Sequence, residues 1–418
     1  MGHNALSMTT RLRHTSALAF GSAASGVLAY VFFAAVTRAL GPVRAAPVSV
    51  LWAYWSFAGA ALTFPLQHWV SRSVAAHGGE LAVRTSLPGV ARLGVVVALL
   101  GAAAAWLVRN PLFHDSRPWF PLLVGAVTLG SIFMGTVRGV LSARGRFNAV
   151  AVGLVAENGV RCLGTVVLMA AGVHFAVAFG LCLLAGYAAA AAWPSALRLV
   201  ATGVPDHAHS PAAFLGGAAG SQLIGQVVLT GGPVLLALSG GASAEITGLF
   251  AVLALFRVPY ILTLGMVAPL TGRLTALVVQ RRSDSLRRLR WWLVTVALAA
   301  AAAAAGLAAT VGPPLVRLVF GAGVSLPPGL TVLLAVGSTV AMANLVVTLV
   351  VLAQGRTPAL VRAWSLALVP GVAWFVLAGG SALDRTCAVF LLVEASAFCL
   401  LLREEAHGTS RLDGPAVG

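Results

Sequence analysis

Glu157 and Arg161 interrupt an apolar stretch, in Glu157-Asn-Gly-Val-Arg161, and they are residue types that could do chemistry there. They lie one helical turn apart with the carboxylate first, the favourable order for an ion pair on one helix face. Glu157 falls ten residues beyond Phe147. At 1.5 Å per residue that is about 15 Å along a helix, near the middle of a hydrocarbon layer about 30 Å thick. Even on the lenient insertion scale a central arginine costs about 3 kcal/mol, so such residues usually face a cavity or a pathway. Two readings stay open: the pair lines or gates a cavity, or it neutralises itself inside a packed helix interface.

Arg257, in Leu253-Ala-Leu-Phe-Arg-Val-Pro-Tyr260, has no acid within one turn in sequence. Pro259 predicts a kink there, with a freed carbonyl satisfied in a wet interior. A cation in that position would attract an anionic ligand, or pair with Glu245, Glu394 or Glu157 from another span. Gln222, Gln226 and Thr230 stack at four-residue steps beside Gly216, Gly220, Ser221 and Gly225. That stripe suits hydrogen bonding to a polar substrate in a cavity, or it glues helices together. Asn344 and Thr348 form a shorter stripe of the same kind, and Glu394 is the remaining acid inside an apolar run.

The elements that must position these residues follow from composition. The chain has 418 residues, of which 59% are hydrophobic and only 9% charged, with a mean hydropathy of +0.94. Soluble domains are about a quarter charged, so this is an all-α polytopic membrane protein. Runs long enough to span number twelve, at roughly 15–37, 48–70, 88–108, 119–141, 147–172, 174–197, 212–238, 246–278, 289–311, 329–353, 358–378 and 384–402. The eighth is long enough to extend past the membrane. The apolar run that follows Arg11-Leu-Arg-His14 continues to about Val36, too long for a signal peptide, and reads as a first membrane helix.

All 27 basic residues are arginine, and the net charge is +16. They cluster in short loops, as topology signals and anionic headgroups require, so nucleic acid is excluded as a partner. With the N-terminus in the cytoplasm, 19 arginines fall on the cytoplasmic side and six on the other, leaving Arg161 and Arg257 within spans. Both termini are therefore expected in the cytoplasm of a cell (plasma or inner) membrane. The loop Gln280-Arg-Arg-Ser-Asp-Ser-Leu-Arg-Arg-Leu-Arg290 carries much of that signal. It reads as an anchor on anionic lipid, with a regulatory or partner-binding role as the alternative.

Val140-Leu-Ser-Ala-Arg-Gly-Arg146 recurs as Val350-Val-Leu-Ala-Gln-Gly-Arg356, an offset of 210 residues and six spans. Because six is even, the copies face the same side, which implies two six-helix lobes related by a parallel pseudo-two-fold repeat. Pro65-Leu-Gln-His-Trp-Val-Ser-Arg72 and Pro269-Leu-Thr-Gly-Arg273 give a weaker echo. The polar linker Thr202-Gly-Val-Pro-Asp-His-Ala-His-Ser-Pro211 separates the lobes at 1–205 and 206–418. Glu157 and Arg161 have no counterpart in the second copy, where the offset lands on Ala367 and Gly371.

No Walker A, HExxH or GxSxG sequence is present, so no ATPase or hydrolase chemistry is expected and no cofactor is implied. His207 and His209 lack a carboxylate or thiol partner and read as solvated loop rather than as metal ligands. Cys162, Cys182, Cys387 and Cys399 lie in apolar segments and read as small buried hydrophobes.

The segments Thr37-Arg-Ala-Leu-Gly-Pro42, Leu66-Gln-His-Trp-Val-Ser-Arg72, Arg138-Gly-Val-Leu-Ser-Ala-Arg-Gly-Arg-Phe147 followed by Glu157 and Arg161, Gly248-Leu-Phe-Ala to Pro269-Leu-Thr-Gly-Arg273, and Ala353-Gln-Gly-Arg356 resemble the polysaccharide exporter branch of the multidrug/oligosaccharidyl-lipid/polysaccharide (MOP) superfamily. The resemblance covers nearly the whole chain. It implies a MATE-like architecture and a flippase that moves a lipid-linked oligosaccharide by alternating access. The expected substrate is a glycan on a polyprenyl diphosphate carrier, the expected neighbours are membrane lipids, and a glycan polymerase or glycosyltransferases would be partners. On that reading Arg257, with Arg72 and Arg161, would hold the diphosphate, because arginine binds such groups bidentately. A cation-coupled multidrug exporter of the same superfamily is the first alternative, and a non-transporting member of a glycan-assembly complex is the second.

Overall fold

Apolar runs of about twenty residues can enter hydrocarbon only with every backbone N–H and C=O bonded internally, which a helix achieves within one segment. The computed structural model describes residues 2–204, 224–265 and 267–412, and no strand occurs among them. Eight helices among the described residues are long and apolar enough to cross a membrane. Residues such as Leu99, Leu100, Leu163, Leu298, Leu366 and Val369 are exposed on their outer faces, as a lipid-facing surface requires.

The first two expected spans are limbs of a single helical run. Helix α1 (Gly2–Ala58) breaks only at Gly41, where φ is 71° and Pro42 follows. Glycine reaches that φ without steric cost, and the proline supplies no donor to continue the ladder. A π-helical turn, Gly59–Thr63, then leads into α2 (Phe64–His77). Helices α3 (Leu81–Leu107), α5 (Trp119–Ala143) and α6 (Phe147–Ala170) match the next three spans, with a short α4 (Arg109–Phe113) before α5. The sixth span is α-helical only over α7 (Ala176–Ala185) and continues as a 3₁₀ helix, Gly186–Ala192.

The seventh span lies partly outside the described residues; its remainder is α8 (224–230) and α9 (Gly232–Leu238). The long eighth span is interrupted after α10 (Ser243–Phe256); α11 (Val258–Gly265) follows, and α12 (Val267–Val279) is its continuation among the described residues. The interruption falls at Arg257, two residues before Pro259, whose ring crowds the carbonyl four residues earlier and ends the regular ladder. Helices α13 (Ser283–Thr310), α14 (Gly312–Phe320), α15 (Pro328–Ala353), α16 (Thr357–Leu377) and α17 (Ala382–Leu412) complete the chain.

Contacts divide the chain into two units. One comprises Met1–Gln226 with Ala242–Thr247, the other Val227–Gly241 with Gly248–Gly418. In the first, α5 is the hub, where Leu66, Trp69 and Val70 of α2 meet Val137, Val140 and Leu141 of α5. In the second, α15 takes the central place against α13 and α17.

The repeated heptapeptide builds the same turn in each unit. After α5, Arg144 N–H donates to the Val140 carbonyl at 3.0 Å and Arg146 N–H to that of Leu141 at 2.9 Å. After α15, Gln354 N–H donates to Val350 at 3.0 Å and Arg356 N–H to Val351 at 3.2 Å. Gly145 and Gly355 sit at φ 70° and 72°, so each turn is a glycine-terminated helix end that uses otherwise orphaned carbonyls. The next helix begins at once, at Phe147 and at Thr357.

Candidate functional site

Among the described residues, each unit buries a polar centre away from the repeated turns. In the first, the Arg161 side chain is 0% exposed. Its Nε donates to the Leu183 carbonyl at 2.9 Å, one Nη to Asn158 Oδ1 at 2.9 Å and the other to Glu157 Oε1. The guanidinium also lies over the Trp55 ring, 4.3 Å from its centroid. Glu157 gives its second oxygen to Arg138 of α5, so one carboxylate holds two cations. Asn158 extends the network by donating to Ser25 Oγ at 2.8 Å.

The unwinding of the sixth span belongs to this centre. Where α7 tightens into 3₁₀ geometry the i to i−4 ladder stops, and Arg161 donates to a carbonyl at the junction. Gly186 opens the 3₁₀ segment because nothing larger fits: a methyl there would meet Arg161 Nε at 2.5 Å and the Glu157 carbonyl oxygen at 2.8 Å. Tyr187 follows, its hydroxyl 2.9 Å from Ser131 Oγ and its ring pressed onto Gly130.

In the second unit the centre is simpler. Asn344 of α15 donates from Nδ2 to Glu394 Oε2 at 2.7 Å and to the Glu394 carbonyl at 2.9 Å. Both residues are 1% exposed. Arg257 is half-buried over Phe390, with 5.6 Å from its guanidinium carbon to the ring centroid, and its charge acts on Glu394. The broken helix at Arg257, α15 and one turn of α17 therefore bring together a cation, an amide and an acid that lie far apart in sequence.

By sequence the chain matches no known family and no curated protein. By structure it is similar to the inward-facing conformation of a multidrug resistance MATE family transporter of the MOP superfamily, at 14% identity over 94% of each chain and a TM-score of 0.67. An outward-facing structure of such a transporter gives 13%, 96% of each chain and 0.61; a MATE transporter of Vibrio cholerae gives 14%, 96% of each chain and 0.60. The chain has the MATE fold. At such identities the likeness extends to the backbone alone.

On this MATE scaffold the sequence-selected residues separate. Glu157 and Arg161 are enclosed in the first unit, and Arg257, Asn344 and Glu394 gather in the second. Arg72 is exposed near the end of α2, Gln226 is half-buried and Thr230 buried in α8, while Gln222, His207 and His209 lie outside the described residues. Sequence alone groups Arg138 with the cytoplasmic arginines Arg144 and Arg146, because it lies within one turn of the end of the fourth span at residue 141. Helix α5 in fact continues to Ala143 and places Arg138 inside, 8% exposed. Its Nε is buried without a hydrogen-bond partner among the described residues. Of the cysteines, Cys182 and Cys387 are buried as expected, Cys162 is half-buried and Cys399 is exposed, because it lies on the outer face of α17.

The arginines of the repeated turns are structural ties as well as charges. Arg144 grips Glu80 with Nε at 2.6 Å and Nη2 at 2.8 Å, and donates to the Ser195 carbonyl at 2.7 Å. The Arg144 bonds to Glu80, with a further one from the Val200 N–H, hold the Glu80 carboxyl below its ordinary value. In the second unit Arg356 pairs with Glu404, Gln354 donates to Thr409 at 3.1 Å, and Arg290 reaches Glu405 at 3.2 Å.

Proposed function

We propose that the protein is a membrane transporter of the MOP superfamily that carries an anionic cargo, a lipid-linked oligosaccharide or polysaccharide precursor on a polyprenyl diphosphate, across the cell membrane by alternating access. The observation that carries the reading is the balance of charge at the first unit's centre, where two buried arginines, Arg138 and Arg161, share the single carboxylate of Glu157. A pathway for cationic drugs would be expected to invert that balance, because cations are held by buried carboxylates. Arginine matches a diphosphate bidentately, and the unused Nε of Arg138 leaves one directed donor for an oxyanion.

Deleting the protein should leave a lipid-linked glycan on the inner leaflet, and restoring it with Arg257→Ala should fail to clear that pool. Full clearance by Arg257→Ala would remove Arg257 from the transport path. Unchanged glycan with altered drug sensitivity would favour the exporter reading, which the enclosed Glu394–Asn344 pair supports as a carboxylate deep in a span. A non-transporting role in a glycan-assembly complex predicts instead that variants plugging the pathway leave glycan output intact.

A further inference from the structure

The turn from α12 into α13 carries arginines that the fold does not require. In the first unit the step from α2 to α3 is made by Ala75-Ala76-His77-Gly78-Gly79-Glu80, with Gly78 at φ 66° and no arginine. In the second unit the corresponding step ends with Gln280-Arg-Arg-Ser-Asp-Ser-Leu-Arg-Arg-Leu-Arg290, and Arg281 itself occupies the left-handed position at φ 51°. The same geometry is thus reached with a side chain that is strained there, where glycine serves the other copy. Arg287 and Arg288 then fall in the early turns of α13, where the helix macrodipole disfavours cations.

The segment is held so that these charges point outward. Leu286 is buried against Leu274, Leu349 and Val350, and Arg290 is committed to Glu405. Arg281, Arg282, Arg287 and Arg288 remain exposed. The one acid among them, Asp284, lies 3.2 Å from Arg287 and is itself 87% exposed, so the patch keeps an excess of positive charge. Directly after it Trp291 and Trp292 are 68% and 69% exposed at the start of the apolar stretch, where tryptophan marks the boundary between water and lipid. The cleft beneath Arg290 and Leu289 has room for only about 10 Å³, one water, so it does not itself admit an acyl chain.

We infer that residues 281–292 form a docking surface for anionic phospholipid headgroups, with the four exposed arginines on the phosphates and Trp291 and Trp292 setting depth. This goes beyond a sorting signal read once during insertion, because it is a property of the folded protein. It does not depend on what the protein transports.

The test uses the purified full chain in nanodiscs of phosphatidylcholine and phosphatidylglycerol, counting retained lipids by native mass spectrometry. The wild type should retain phosphatidylglycerol preferentially, and Arg281→Gln/Arg282→Gln/Arg287→Gln/Arg288→Gln should bring the preference near one, about fivefold per arginine at low salt. Arg84→Gln/Arg92→Gln, exposed arginines of α3, should leave it unchanged. An unaltered preference in the quadruple variant, or an equal loss in the α3 control, overturns the inference. If the quadruple variant does not fold, the wild type alone decides: its preference must collapse as salt rises from 0.05 to 0.5 M, on the order of a Debye-length change from about 14 to 4 Å, and a salt-independent preference overturns the proposal. Displacement of the lipid by inorganic phosphate at matched ionic strength would overturn the commitment to a lipid headgroup.

Discussion

After α5 and after α15 the chain makes the same turn, glycine for glycine and bond for bond, yet the helices that follow carry opposite contents. Helix α6 presents Glu157 and Arg161 to the interior of its unit. At the same register α16 presents Ala367 and Gly371, both buried, with Gly371 packed against Val393. The second unit keeps its acid on α17 instead, as Glu394 bonded to Asn344. Backbone symmetry therefore survives where the left-handed turn demands it, at Gly145 and Gly355. The polar interior is free to differ because each centre has only to satisfy its own groups.

The deepest cut into that contrast is Glu157→Gln. It leaves Arg138 and Arg161 facing one another without an anion, and removing one partner of a buried pair costs about 3–5 kcal/mol. Folded yield and thermal unfolding in detergent should both fall sharply. Glu394→Gln should cost less, about 1–3 kcal/mol, because the amide can still accept from Asn344 Nδ2. If the two variants behave alike, the first centre is not the more tightly interlocked one.

The two turns give a finer comparison. Gly145→Ala and Gly355→Ala each put a side chain at positive φ with nothing within 4 Å to clash, so both losses are purely conformational, about 1–2 kcal/mol. Equal losses in thermal unfolding would support true equivalence of the repeats; a twofold disparity would mean that one turn is held up by its side-chain ties.

How far the sequence discloses this arrangement depends on the range of the interactions involved. Span positions are legible because twenty apolar residues and a break are local facts, and the repeat is legible because its turn is a local motif. The unwinding at Gly186 is hidden, since the run of alanines after Tyr187 favours a regular helix and only the side chain of Arg161, from another helix, occupies the junction. Arg138 is ambiguous in sequence for a related reason: near a helix end an arginine can turn inward or outward, and the choice depends on Glu157, nineteen residues on. Sequence offers Arg257 three candidate acids, Glu245, Glu394 and Glu157, and the choice of Glu394, with Phe390 beside it, comes only from the packing of α17.

The smallest expected effect concerns the ties outside the spans and comes with a direction in pH. Glu80 accepts from Arg144 Nε and Nη2 and from the Val200 N–H at 2.8 Å, so its carboxylate form is favoured in the folded protein and its pKa falls below the ordinary 4.5. A lowered folded pKa means that the tie contributes fully above the unfolded value and is lost as pH falls through the folded one. Unfolding temperature should therefore decline on acidification below about pH 4.5, with Glu80→Gln removing part of that decline and costing about 0.5–1 kcal/mol at neutral pH. Because the corresponding step in the second unit has no acid gripped by its turn arginine, Glu404 on α17 taking that role instead, Glu404→Gln should leave the Glu80 contribution intact. If Glu404→Gln abolished it, the two ties would be one coupled network, and the units would be less independent than their separate centres imply.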